Sequence, residues 1–269
     1  MKVIGIMNHK GGVGKSTCSK EVAAALTRLG NRVLVIDVEG QSSNISRMTK
    51  ADKSYANEAT LYEVLKGKVS PADAIQELDC FDIIVSNGRT SALDEELKGE
   101  KAFYALHILC EALKADDLYD YVIIDGPPTQ GFRQTLVIYA CDYIIGVVTP
   151  NLADIEGIAD LCKDIIAANQ STEKQRYYIG NIMNKADKRS PSSLTQGLSD
   201  MQKLSEVIEK RFPEIGTLFT VTVPLRKFIE TCFRNRDICV MSSPYDDVSV
   251  AFKKIVKTML EKINELDRR

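Results

Sequence analysis

The sequence predicts an α/β fold: a mainly parallel, doubly wound sheet flanked by helices, forming a single domain over residues 1–269. Three observations predict it. Short apolar runs rich in Val and Ile alternate with longer segments of helical periodicity, the pattern of strands covered on both faces and joined by helical crossovers. No internal repeat or low-complexity tract divides the chain. The 269 residues, 44% of them hydrophobic, suffice for one sizeable core.

The candidate strands are Val3–Met7, Val33–Ile36, Phe81–Val85, Tyr121–Ile124, Tyr143–Val148, Tyr178–Met183 and Leu218–Val223. Between them, Val22, Leu26 and Leu29 share one helical face, as do Ile255, Met259 and Ile263. Lys185–Ser193 reads as a loop and Ser86–Lys98 as a surface excursion. The first strand starts at Lys2 or Val3, so no helix-turn-helix domain is expected ahead of it. Val3–Met7 is too short for a signal peptide, and no apolar run approaches the roughly 20 residues of a membrane span.

With 35 basic and 37 acidic residues the net charge is -2. This excludes a global pull toward nucleic acid or membrane, so any such contact must come from a local patch. The cysteine count, seven, is odd and contains no C-x-x-C pair. That reads as a reduced protein and not a disulfide scaffold or zinc module.

Residues 10–17 read Lys-Gly-Gly-Val-Gly-Lys-Ser-Thr, between the first strand and the first helix. Gly11, Gly12 and Gly14 permit a tight turn, and with Val13 they aim successive N–H groups inward, a nest for phosphate at a helix N-terminus. Lys15 would reach the β- and γ-phosphates, Ser16 would ligate Mg²⁺, and Thr17 would bond the α-phosphate. A glycine-rich turn with an ordinary lysine is the plain alternative, and the flanking strand and helix weigh against it. Tyr121–Ile124 ends in Asp125, followed by Gly-Pro-Pro. After a phosphate loop this is a Walker B arrangement, placing Asp125 near the Mg²⁺ shell, with a switch loop behind it.

Lys10 is redundant within one subunit, because Lys15 already serves the phosphates. A loop with this extra lysine resembles the deviant Walker A motif of the ParA/MinD superfamily, and the likeness extends from Met1 to about Glu265. It implies that Lys10 reaches a partner subunit's phosphates in an ATP sandwich homodimer. A solvated lysine is the bland reading. After the second strand, Asp37, Gln41 and Asn44 match the family's pattern, while Glu39 and Gly40 replace its second Asp and its Pro. The replaced Asp usually orients the attacking water. Glu can accept the same hydrogen bond but is one methylene longer, and in-line attack is sensitive at the ångström scale. Hydrolysis is therefore expected to survive slowly, and the bland alternative makes Glu39 a surface acid. Lys10, Lys15, Asp37 and Glu39 form the expected catalytic set, and Ser16, Asp37 and Asp125 the expected Mg²⁺ ligands.

Asn184-Lys185-Ala186-Asp187 follows a strand and reads literally as the N-K-x-D signature of guanine selection. In proteins resembling ParA, an Asn at this point contacts adenine and a Pro like Pro224 lies near the base, a plain turn proline being the equal alternative for Pro224; ATP is expected and GTP is the minority reading. Residues 226–269 carry an excess of three positive charges. The resemblance makes Arg226, Lys227, Arg234, Arg236, Lys253, Lys254 and Lys257 candidates for nonspecific DNA contact, although charged helices are usually only solvated. The last helix, with Ile255, Val256, Met259, Leu260, Ile263 and Leu266, reads as packed on the core and not as a membrane anchor. His9 is given no role and His107 a structural one.

The resemblance thus implies a cytoplasmic, nucleoid-associated partitioning ATPase stimulated by a ParB-like centromere-binding protein, without membrane contact. The alternatives are a membrane-associated positioning ATPase of the MinD kind and a nucleotide switch with negligible turnover. A reductase like the nitrogenase iron protein is disfavoured, because no cysteines fall where a bridging cluster would need them.

Overall fold

The computed structural model describes residues 1–40, 44–51, 59–212 and 217–268. Gln41, Arg269 and the side chain of Asn44, on which parts of the sequence reading rest, lie outside the described residues. The elements run β1 (Lys2–Met7), α1 (Lys15–Thr27), β2 (Val33–Asp37), α2 (Asn44–Met48), α3 (Leu61–Leu65), α4 (Pro71–Ala74), β3 (Ile75–Glu77), β4 (Asp82–Ile84), α5 (Leu93–Glu96) and α6 (Ala105–Ala115). They continue with β5 (Tyr121–Asp125), α7 (Phe132–Ala140), β6 (Tyr143–Val148), α8 (Leu152–Ser171), β7 (Tyr177–Ala186), α9 (Pro191–Arg211), β8 (Phe219–Pro224), α10 (Lys227–Asn235), α11 (Cys239–Ser242) and α12 (Asp247–Leu266).

The strands pair in the order β3-β4-β2-β5-β1-β6-β7-β8. Every neighbouring pair is parallel except β3 and β4. Because side chains alternate across a strand, the continuous apolar runs feed two cores. Ile4, Ile6, Val35, Ile123 and Ile145 face Val22 and Leu26 of α1 and Phe252, Ile255 and Met259 of α12. Leu34, Ile36, Val122, Ile124 and Ile144 face Leu106 and Leu109 of α6, Leu136 of α7 and Leu161 of α8. Each such fully buried side chain is worth about 1.5–3 kcal/mol, and the two layers fix the sheet on which the loops at the strand ends stand.

All seven candidate strands are present within one to three residues of their expected ends. The strand β3 was not anticipated; it is a three-residue antiparallel edge. Leu29 does not continue the α1 face: the helix ends at Thr27, and Leu29 is 62% exposed. Ser86–Lys98 is not a loose excursion either. It holds a 3₁₀ turn at Gly88–Ala92 followed by α5, and Ser86, Thr90 and Leu93 are completely buried. The last helix packs on the core as expected, with Ile255, Val256, Met259, Ile263 and Leu266 buried.

A buried acid ties α1 to the C-terminal region. Glu21, inaccessible to solvent, accepts from the N–H groups of Cys239 and Val240 at 2.9 Å each, at the start of α11. Its neighbour Lys20 lies 3.4 Å from it and donates to the Asp237 carbonyl. The helix that follows the phosphate loop is thereby joined to the segment carrying the basic residues of α10.

Candidate functional site

The chain order turns about β1, whose neighbours β5 and β6 lead to opposite halves of the sheet. In parallel α/β sheets, the carboxyl ends of strands at such a point form the ligand crevice. The loop 8–14 leaves β1 there. Gly12 and Gly14 have φ of 77° and 98°, left-handed values that an L side chain adopts only with strain. At Gly14 a Cβ would also stand 2.1 Å from Asn184 Nδ2. Asn8 pins the start of the loop: its amide donates to the carbonyls of Val147 and Asp154, and its Oδ1 accepts from the Lys10 N–H.

Lys15 is buried and donates to the Lys10 carbonyl at 2.9 Å, so its ammonium crosses the mouth of its own loop. Burial lowers its pKa, opposed by the charges of Asp125, Glu39 and Asp154. Lys10 itself is exposed, with its stem alongside Gly157 of α8. Thr17 faces α2, its hydroxyl 3.9 Å from Met48 Sδ.

Asp37 and Asp125 end neighbouring strands and are paired in register. Both are fully buried. Asp125 Oδ1 accepts from the Ser19 hydroxyl at 2.9 Å, with the Ser16 hydroxyl nearby, and Asp37 Oδ1 accepts from the Glu39 N–H at 3.0 Å. The Oδ2 atom of each carboxylate has no hydrogen-bond partner. Burial pushes the Asp37 carboxyl up to about 6 and, with the Asp37 charge added, Asp125 up to about 8. Two buried acids with orphaned oxygens beside a serine hydroxyl, at the foot of a phosphate loop, suit a hard divalent cation that takes oxygen ligands. Ser16, Asp37 and Asp125 are thus brought together as the sequence predicted.

Asn184 and Pro224 separate. Asn184 is buried and donates from its amide to the Val13 carbonyl, and Lys185, at φ 55°, reaches over to the Gly12 carbonyl. Both therefore brace the phosphate loop from behind. Pro224 lines a pocket of about 550 Å³ beyond the ends of β7 and β8, together with Asp187, Arg189, Leu225, Arg226 and Phe228. Asp187 is paired there with Arg189.

The basic candidates do not form one sheet of charge. Arg226 and Lys227 line this pocket, and Arg226 forms a bidentate pair with Asp247. Lys253 donates to the Pro244 carbonyl. Arg234, Arg236, Lys254 and Lys257 are exposed, Lys257 lying 4.0 Å from Glu261.

Two contributors escaped the sequence reading. His9 sits between Gln130 and Gln134, with Asp164 3.3 Å from its Nε2. It links the phosphate loop to the segment after Asp125, and burial lowers its pKa. Arg133, in the first turn of α7, is buried and donates to the carbonyls of Val38 and Glu39 and to Asp94. No local pattern signals either residue, since their partners are distant in sequence.

Among the described residues, no helix is long and apolar enough to cross a membrane. A family profile described as an AAA domain matches residues 1–177. The chromosome partitioning protein ParA of Caulobacter vibrioides is 30% identical over 196 residues, covering 72% of this chain and 73% of that protein. The structure of an ATP complex of a McdA variant from Cyanothece superposes with a TM-score of 0.82 at 19% identity, covering 96% of each chain. MinD from Pyrococcus horikoshii complexed with Mg-ADP gives 0.71 at 20% identity, covering 96% of this chain and 95% of that one. These two likenesses speak to the fold alone. With the phosphate loop, the paired acids and the Caulobacter relative in agreement, the chain belongs to the ParA-type family of partition ATPases.

Proposed function

We propose that this protein is an ATP-dependent, Mg²⁺-requiring DNA-partitioning ATPase. It forms an ATP sandwich dimer, binds nucleoid DNA nonspecifically in that state, and is driven to hydrolyse ATP by a ParB-like partner. The observation that carries the reading is the pair of orphaned carboxylate oxygens on Asp37 and Asp125, buried beside Ser16 under the loop bearing Lys10 and Lys15. Ser16, Asp37 and Asp125 would hold Mg²⁺ there, and the ion would supply charge neutralisation for the nucleotide's phosphates.

The chain's own residues divide the remaining work. The N–H groups of Gly11 to Thr17 cradle the phosphates, and Lys15 exchanges its contact with the Lys10 carbonyl for phosphate oxygens. Lys10 extends to the phosphates of the second subunit, for which its exposure suits it. Glu39, beside Asp37, orients the attacking water. Asn184 acts at the base side by holding the loop through Val13, and Pro224 with the 550 Å³ pocket receives the base. The contact that differs between states is the γ-phosphate, which sets whether the dimer persists. Arg234, Arg236, Lys254 and Lys257 are the exposed cations available for DNA.

One specific observation favours a second reading, a switch with negligible turnover: Glu39 replaces the family's Asp and Gly40 its Pro, and Gly40 takes a φ of 78° that Pro cannot adopt. Phosphate release with and without the partner decides between the two.

The direct experiment is binding to a nonspecific DNA duplex with ATP, ADP, GTP or no nucleotide, for the wild type and for Lys10→Ala and Lys15→Ala. ATP-specific, salt-sensitive binding lost in both variants is the expected result. Binding indifferent to nucleotide, or none, overturns the reading, and ATP-dependent sedimentation with liposomes would then assign the chain to the membrane-associated class.

A further inference from the structure

Glu39 and Gly40 stand where the resemblance expects Asp and Pro, and the backbone around them is held by hydrogen bonds. The Val38 N–H donates to the Asp125 carbonyl at 3.2 Å. The Glu39 N–H donates to Asp37 Oδ1 at 3.0 Å, and the Gly40 N–H to Ser86 Oγ at 3.1 Å. The carbonyls of Val38 and Glu39 both accept from one nitrogen, Nη1 of Arg133. Each polar backbone group of residues 38 and 39 is thereby satisfied, and three different elements supply the partners.

Arg133 is itself fixed from behind. It is 6% exposed, and its Nε lies 3.1 and 3.2 Å from the two oxygens of Asp94 in α5. A guanidinium is planar and presents its donors in a rigid fork, so anchoring Nε orients Nη1. Arg133 also belongs to the helix entered directly from the 126–131 segment that follows Asp125. It therefore connects the two segments that flank the cation site.

At Gly40 a Cβ would meet the Thr90 Cβ at 2.8 Å and the Ser91 nitrogen at 3.1 Å. The backbone after Glu39 thus passes against the 3₁₀ turn 88–92 by a route no other residue can follow. The position of the Glu39 Cα is therefore set by two features, the path at Gly40 and the Arg133 anchor on the Glu39 carbonyl.

We propose that Arg133 is the positioning residue for Glu39: it fixes the Glu39 peptide so that the longer side chain presents its carboxylate where the family's Asp presents its own. The inference rests on the reading of Glu39 as the water-orienting group. It requires that Arg133 act through Glu39 and nowhere else in the reaction.

The test is a double-mutant cycle with Arg133→Met and Glu39→Gln, with Arg133→Lys as the conservative variant. Three quantities are read for each: ATP turnover, affinity for a fluorescent ATP analogue, and amide exchange of the peptide over residues 37–41. Arg133→Met is expected to lower kcat about tenfold or more while the analogue's Kd changes less than twofold, and to speed exchange at Glu39 and Gly40. Arg133→Lys, able to reach one carbonyl, recovers part of kcat. In the Glu39→Gln background, Arg133→Met is expected to cost nothing further.

Additive losses in the cycle, or a loss of affinity equal to the loss of kcat, would overturn the proposal while leaving the ATPase reading intact. If the wild type has no turnover, the ATPase reading fails. The exchange experiment decides the anchoring separately: unchanged protection at residues 38–40 in Arg133→Met refutes the positioning role whatever the turnover.

Discussion

The buried pair Asp37 and Asp125 makes the cation-free protein lose stability as pH rises. A carboxyl whose folded pKa exceeds its unfolded value binds more protons folded than unfolded. Its contribution is complete below about pH 4, and is lost as pH rises through about 6 for Asp37 and about 8 for Asp125. One pKa unit corresponds to about 1.4 kcal/mol. Integrated between pH 6 and pH 8, Asp125 costs roughly 2 kcal/mol and Asp37 roughly half a kcal/mol, since Asp37 has mostly ionised by then. A loss of about 2.5 kcal/mol lowers Tm by about 5–10 °C in a chain of this size. The two histidines have lowered pKa values and act in the opposite sense, adding stability as pH rises through their unfolded value. Their effect cancels when wild type is compared with Asp125→Asn, which keeps the shape of the side chain. The assay is urea unfolding of both proteins, freed of divalent cations, at pH 6, 7 and 8. The variant is expected to gain on the wild type by about 2 kcal/mol across that range, and excess Mg²⁺ with nucleotide should flatten the wild-type dependence. A wild-type-minus-variant difference that does not change with pH would refute the argument that burial raises the pKa of these carboxyls.

Gly14→Ala forces a Cβ into the left-handed region and against the amide of Asn184. It should destabilise the fold by at least about 1–2 kcal/mol and abolish binding of a fluorescent ATP analogue, both readable on one purified sample. Glu21→Ala leaves the N–H groups of Cys239 and Val240 without their acceptor and Lys20 without its counter-charge. A loss of about 3–5 kcal/mol is expected in urea unfolding, with Glu21→Gln smaller because its carbonyl still accepts one N–H. If Glu21→Ala unfolds at the wild-type urea midpoint, the joint between α1 and α11 carries no load.

The elements that could be read from the sequence are those whose cause is local. Tyr121–Ile124 and Tyr143–Val148 are strands because continuous apolar runs feed both faces of one sheet, and their ends followed from the same pattern. The three-residue β3 has one buried residue, Gln76, and gives no such pattern. Its pairing with β4 follows from the turn between them. The apolar run of β7 ends at Met183, before Asn184 and Lys185, which look like loop residues. They complete the strand because the phosphate loop supplies acceptors for both side chains. Leu29 was misplaced because apolar spacing does not record where Gly30, at φ 88°, turns the chain away.

The site divides along the same line. The placing of Lys10 to Thr17 and of Asp125 at the ends of neighbouring strands was legible because the apolar runs Val3–Met7 and Tyr121–Ile124 lead directly into them. Ser86–Lys98 was not, because its polar composition concealed that Ser86 caps the Gly40 N–H and that Thr90 stands where a side chain at residue 40 would be. The replacement of Pro by Gly at position 40 reads in isolation as decay of a motif. In the structure Gly40 packs against the turn 88–92 while Arg133 holds the Glu39 carbonyl, so the segment is closely fitted to its surroundings. If the motif had merely decayed, nothing would require Arg133 to bridge both carbonyls or Asp94 to hold it there. Breaking the Asp94 contact alone, by Asp94→Asn, should therefore slow turnover in part without weakening nucleotide binding, because it loosens the anchor and leaves the phosphate loop untouched.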